Sequence, residues 1–162
     1  MIQPIYLYGS EVLRKVAEPF DLNDTEGLKS LVQDLKDTLK VADGCGLAAP
    51  QIGVSKRVVI VDGDVVSEEF PYLKGFFRTL INPVVVSESD RKCEYSEGCL
   101  SVPGRSGEVL RYQDIDIKYT LPAKNGIPAR DTVETVTGFT AVIFQHECDH
   151  LDGILYIDYD FE

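Results

Sequence analysis

His146 and His150 are the only two histidines in the chain, and they flank a glutamate in His146-Glu147-Cys148-Asp149-His150. Residues four apart on a helix are neighbours on one face. Two imidazoles at that spacing can point at one ion. Glu147 sits one position round and can reach a ligand of the same ion. His-Glu-x-x-His on a helix is the zinc-hydrolase pattern. In it the histidines hold a divalent metal and the glutamate moves protons for a metal-bound water. A lone histidine on an apolar face is more often a core residue, but here both histidines of the chain fall in one five-residue segment.

A catalytic metal usually takes three protein ligands and leaves one position open. No third histidine follows His150, so the long metzincin pattern is absent. Asp149 and Asp152 fall on the wrong helical face, and Cys148 lies two residues from either histidine. Cys45 and Cys99 remain. Each sits beside glycine, where a thiolate meets little crowding, and spacing favours Cys99 only slightly over Cys45.

The segment that must carry the histidines reads as a helix from about Thr137 to Leu151, with Gly153 as its stop. Phe139, Val142, Ile143, His146 and His150 share one face, so the histidines continue an inward apolar stripe. An earlier helix is expected over residues 25–41. Leu28, Leu31, Val32, Leu35 and Leu39 recur at helical spacing, Asn23 or Asp24 can cap its start, and Gly44 lies just past its end. Between the helices, Arg57 to Val61 and Leu80 to Val86 are short β-branched runs, and Asp114 to Tyr119 alternates as a half-buried strand does. Asn125-Gly126 is a hairpin signal, pairing Arg130 to Val136 back onto that strand. Helix, strands, helix gives an α+β class: antiparallel or mixed β-sheets packed around a C-terminal helix, with an N-terminal helix. With 162 residues and no linker or repeat, a single domain spanning 1–162 is expected.

The formal net charge of −11 argues against a direct nucleic-acid partner. No apolar stretch approaches the roughly 20 residues needed to span a bilayer, and no leader pattern opens the chain. Together these place the protein in the cytoplasm with no membrane partner. The cysteines, Cys45, Cys93, Cys99 and Cys148, are then thiols rather than disulfides.

Three segments, taken together, go further. Gly44-Cys45-Gly46-Leu47-Ala48-Ala49-Pro50-Gln51, then Glu97-Gly98-Cys99-Leu100-Ser101, then Gln145 to Gly153 (Gln-His-Glu-Cys-Asp-His-Leu-Asp-Gly) resemble the three signature motifs of peptide deformylase, in that family's order. The resemblance runs from the N-terminal segment to about Tyr156. It implies Cys99 as the third metal ligand beside His146 and His150, and Glu147 as general acid/base. It implies the Gln51 amide and the Leu100 backbone N–H at the oxyanion. The expected metal is Fe²⁺, with Zn²⁺, Ni²⁺ or Co²⁺ able to occupy the site. The implied reaction is attack of a metal-bound hydroxide on the formyl carbon of an N-formyl-methionyl nascent peptide, releasing formate.

By the same correspondence Cys45, Tyr95, Glu97, Phe139, Val142, Ile143 and the His146 ring would line a methionine pocket. Gly44, Gly46 and Gly98 would flank the bound chain, the first two permitting an extended peptide to pair as an added strand. Glu97 and Arg111 match a pair that is salt-bridged in the family, and a partly buried pair bracing the Cys99 loop is expected. Many members dock on the ribosome through a basic C-terminal helix. The acidic end Asp158-Tyr159-Asp160-Phe161-Glu162 supplies none, so docking by that route is not expected. Cys148 stands where a bulkier residue is usual and is expected to be buried. Two readings compete: a zincin-type metallopeptidase, which leaves Cys99 without a role, and a non-catalytic metal-binding module, which would need a fourth protein ligand.

Overall fold

The computed structural model describes residues 1–159; of the acidic end, residues 160–162 lie outside that range. Among the described residues, two α-helices and seven strands make the frame. Helix α1 (Thr25–Ala42) starts where Asp24 accepts a hydrogen bond from the Gly27 N–H, one of the otherwise unsatisfied donors of a first turn. It ends at Ala42, one residue beyond the expected 41. Asp43, not Gly44, takes the left-handed conformation at φ 58°, which a short polar side chain tolerates.

Strands β1 (Gly46–Ala48), β2 (Val58–Asp62), β3 (Phe77–Glu88), β6 (Asp114–Leu121) and β7 (Arg130–Thr137) form one antiparallel sheet in the order β1-β2-β3-β6-β7. β2 reads as a continuous apolar run because both of its faces are covered. Val58 and Ile60 pack towards α1 with Leu31, Leu35 and Leu39, whereas Val59 and Val61 pack towards the second helix with Ile143 and Phe144. Asn125 and Gly126 both have positive φ, 52° and 79°, the backbone of a type I′ turn. β6 and β7 pair across that turn from Asp114↔Thr137 to Leu121↔Arg130.

Strands β4 (Lys92–Cys99) and β5 (Val102–Tyr112) form a separate two-stranded sheet that was not anticipated. Helix α2 (Gly138–Leu151) begins one residue later than expected, at a glycine with φ 59°. Its burial differs from a one-sided stripe. Thr140, Gln145 and Glu147 are buried along with Val142, Ile143, His146 and His150, because the main sheet and the β4–β5 hairpin both pack on it. Gln145 is satisfied there by its neighbours. Its Nε2 donates to the Tyr112 carbonyl at 2.9 Å and its Oε1 accepts from the Tyr112 N–H at 3.0 Å. Gly153 closes the helix at φ 75°, where a Cβ would lie 2.6 Å from the Arg14 carbonyl oxygen. No helix among the described residues is long and apolar enough to cross a membrane.

Candidate metal centre

Helix α2 places His146 and His150 one turn apart, with ring centroids 5.1 Å from each other. The end of β4 brings in Cys99, whose Sγ lies 3.5 Å from His150 Nε2. One ligand atom from each of Cys99, His146 and His150 lies within 4.8 Å of the others. Cys45 is not in this group and instead lines the cleft in front of it. A sulfur and a nitrogen on one tetrahedral divalent ion stand about 3.5 Å apart, given metal–ligand bonds of about 2.3 and 2.0–2.1 Å. The donor set therefore fits such an ion. With three protein donors it leaves a coordination position open, and soft sulfur with imidazole suits a first-row transition metal.

The surroundings of each histidine are different. His146 Nδ1 lies 2.9 Å from Glu97 Oε1. A proton on Nδ1 serves that carboxylate and leaves Nε2 bare toward the cluster. Burial works against a charged ring at His146, but hydrogen bonds to Cys99 and Glu97 outweigh it and push the ring up to about 10. That field draws positive charge to this position. Burial first, then the charges of His146 and Arg111, hold His150 well below its ordinary value, so its ring is neutral. His150 Nδ1 is buried without a hydrogen-bond partner.

Glu97 is held in turn by Arg111, which spans it with Nε to Oε2 at 2.9 Å and Nη2 to Oε1 at 2.8 Å. Burial alone would raise the Glu97 carboxyl, yet Arg111 and His146 hold it below its ordinary value. Arg111 also donates through Nη1 to Asp149 Oδ2 at 2.6 Å, and the Tyr159 hydroxyl donates to the same oxygen at 2.6 Å. The Glu97–Arg111 pair was expected from the sequence, and it is more deeply buried than foreseen. The extension to Asp149 and Tyr159 was missed. Nothing in residue type or spacing links those positions.

Glu147 is buried, and its Oε1 has no hydrogen-bond partner. Its Oε2 is 4.0 Å from His146 Nε2. Burial pushes its carboxyl up to about 7, and the Glu97 and Asp149 charges add to this against His146 and Arg111. A carboxyl near neutrality beside an open metal position can take or give a proton at working pH. Gly46 makes room for it: a Cβ there would sit 2.5 Å from Glu147 Oε2.

Gln51, in a single 3-10 turn over Ala49–Ile52, faces the same space. Its Oε1 accepts from the Ala48 N–H at 2.9 Å. Its Nε2 donates to Ser101 Oγ at 3.0 Å and lies 3.6 Å from Cys99 Sγ. Leu100 follows Cys99, and its side chain packs where a Cβ on Gly44 would stand, 2.8 Å away.

These groups open on a cleft of about 460 Å³. Gly44, Cys45, Gly46, Gln51, Glu97, Gly98, Leu100, Phe139, Val142, Ile143 and Glu147 all line it. Tyr95 does not. Its ring packs against Phe139 at 5.2 Å and Phe70 at 5.8 Å, behind the wall. Val65, Val66 and Arg105 also line it; as an apolar pair in a 3-10 turn and a cation on the unanticipated strand β5 they carried no signal. Cys45 is pushed up to about 12, by burial and then by Glu147, so it faces the cleft as a neutral thiol. Cys148 is half-buried and packs on the main core.

A family model described as Polypeptide deformylase matches residues 2–160. A peptide deformylase of Aquifex aeolicus (strain VF5) is 43% identical over 158 residues, 98% of this chain and 87% of that protein. Among solved structures, a Met-Ala-Ser-bound class I type b peptide deformylase from Acinetobacter baumannii aligns with a TM-score of 0.85 at 31% identity, covering 98% of both chains. The peptide deformylase from Thermotoga maritima aligns with a TM-score of 0.82 at 34% identity, covering 98% of this chain and 97% of that one.

Proposed function

The chain belongs to the polypeptide deformylase family, metal-dependent hydrolases that remove the N-formyl group from newly made polypeptides, and from that premise we propose which of its residues do the work. Cys99, His146 and His150 would hold the ion, which we assign as Fe²⁺, with Zn²⁺, Ni²⁺ or Co²⁺ as substitutes. When bound, the ion supplies a Lewis acid and lowers the pKa of a coordinated water, to about 7 in zinc sites.

Glu147 accepts the proton of the attacking water as the new C–O bond forms. It returns that proton to the amine nitrogen as the formamide C–N bond breaks. The products are formate and a peptide with a free amine. Gln51 Nε2 and the Leu100 N–H donate to the formyl oxygen as it gains negative charge. One such donor is worth about 2.7–4 kcal/mol in the barrier. The methionine side chain enters the apolar part of the cleft, between Cys45, Phe139, Val142 and Ile143. Gly46 of β1 and Cys45 just before it line the cleft, where an extended backbone can pair with the strand edge. Formylated nascent chains as substrate place the enzyme in the cytoplasm.

The observation that carries this reading is the Cys99–His146–His150 group with the unpartnered Glu147 Oε1 beside it. Formate release from a formyl-Met tripeptide, with the metal identified by elemental analysis, tests it. Metal-loaded protein that releases no formate overturns it.

A further inference from the structure

The two groups assigned to the formyl oxygen stand on different sheets. Gln51 follows β1 of the main sheet, whereas Leu100 lies in the turn of the β4–β5 hairpin, and no strand of one sheet pairs with a strand of the other. Both sheets pack on α2, and two further links tie the donor positions directly to each other. One link is the side-chain bond from Gln51 Nε2 to Ser101 Oγ. The other is the N-terminal segment. Tyr6 N–H donates to the Gln51 carbonyl at 2.7 Å, and Tyr8 N–H donates to the Ser101 carbonyl at 2.8 Å. Both acceptor residues are almost fully buried, at 1% and 0% exposed.

Residues on either side anchor the same segment. Gln3 N–H donates to Thr38 Oγ1 on α1 at 2.9 Å, and Ala17 N–H donates to the carbonyl of Leu151, next to His150, at 2.8 Å. Meanwhile the side chains of Tyr6, Leu7 and Tyr8 are exposed. Burial of apolar surface does not explain why this stretch lies where it does; its main-chain donors do.

We infer that residues 6–8 are a positioning strap, whose Tyr6 and Tyr8 amides set the distance between the Gln51 and Leu100 donors. The inference rests on the assignment of those two donors above. A misplacement of about 1 Å in such a group costs on the order of 10²-fold in rate, so a strap between two sheets that share no strand pairing has kinetic weight out of proportion to two hydrogen bonds.

Proline at either position removes the N–H and fixes φ, and alanine at the same position controls for the lost tyrosine ring. Tyr8→Pro is expected to lower kcat on a formyl-Met tripeptide by about 10- to 100-fold, with little change in KM and unchanged metal content. Tyr8→Ala, which keeps the amide, recovers most of that loss. In a Gln51→Ala background Tyr8→Pro adds little, because both act on one group of donors. Parental kcat in Tyr8→Pro, or losses that simply add, overturn the strap. Amide exchange on the unsubstituted, metal-loaded protein bypasses folding of the variants: slow exchange at Tyr6 and Tyr8 is expected, and free exchange at both overturns the inference. If Gln51→Ala itself turns over normally, the donor assignment fails; if Gln51→Ala is slow and Tyr8→Pro is not, the strap fails alone.

Discussion

Arg111 meets Glu97 side-on, with two parallel hydrogen bonds of 2.9 and 2.8 Å, and both side chains are only 3% exposed. Because Glu97 Oε1 also faces His146 Nδ1 at 2.9 Å, this pair does more than brace a loop. It fixes the orientation of an imidazole in the donor group and keeps a proton on its outer nitrogen. The charge that Glu97 contributes is matched on its far side by Arg111, so the ring feels a carboxylate that has no freedom to turn away.

Glu97→Gln leaves Arg111 as a buried cation whose remaining partner is the more exposed Asp149. A loss of about 3–5 kcal/mol in unfolding free energy is expected. Metal affinity should fall by about 10- to 100-fold. Urea unfolding and a metal titration check the two separately, and unchanged affinity removes the link from Glu97 to the metal.

The same pair sets a pH dependence. Glu97 is held below its ordinary value of 4.5 in the folded chain. It therefore binds its proton less readily folded than unfolded, and its contribution is complete above the unfolded value. That contribution disappears as pH falls through the lower, folded value. Stability measured from pH 6 down to pH 3 should drop more steeply in the parent than in Glu97→Gln; parallel curves would exclude Glu97 as the titrating group.

Two substitutions separate holding the ion from using it. Cys99→Ser is expected to lose tightly bound metal, since the thiolate is the soft, anionic member of the donor set. Glu147→Gln is expected to retain metal and lose about 10²- to 10⁴-fold in kcat. Elemental analysis beside formate release reads both, and turnover retained in Glu147→Gln sinks the acid/base role.

Gly46→Ala introduces a Cβ 2.5 Å from Glu147 Oε2. The same Cβ would lie 2.7 and 2.8 Å from Cδ and Cγ of Glu147, and all the obstructed atoms belong to that one side chain, so it is Glu147 that must move. We expect a melting temperature near that of the parent with kcat lower by about 10²-fold. A variant that unfolds outright would show that the glycine is needed for packing rather than for placing Glu147.

The chemistry-bearing helix was legible because His146, Glu147 and His150 lie within five residues, and β2 and the Asn125-Gly126 turn were legible because their signals are local. The β4–β5 hairpin was not. Strands are read from apolar alternation, but the inward positions of this one include Glu97, Cys99 and Arg111, which serve the site instead of a core. Helix α2 misled in the opposite sense. A stripe of inward residues was read where the helix is enclosed on several sides, and the burial of Gln145 carried no signal because its partner, Tyr112, is 33 positions away. Val65 and Val66 reach the cleft, and Tyr95 lies behind its wall, only through tertiary placement. Spacing favoured Cys99 only slightly over Cys45, since both sit beside glycine; the family motifs implied Cys99, and it is Cys99 that stands with His146 and His150 in three dimensions.

Because the hairpin carrying Cys99 shares no strand pairing with the main sheet, an ion bound there is also a cross-link. It joins two positions 51 residues apart, Cys99 and His150. Closing a loop of that size in the unfolded chain is worth about 4 kcal/mol in the entropy of a permanent tie, and a reversible tie adds stability according to its occupancy. Chelation should therefore loosen the hairpin before the sheet. The protein would then report its own metal status mechanically, as protease sensitivity in residues 92–112, while the main sheet stays intact.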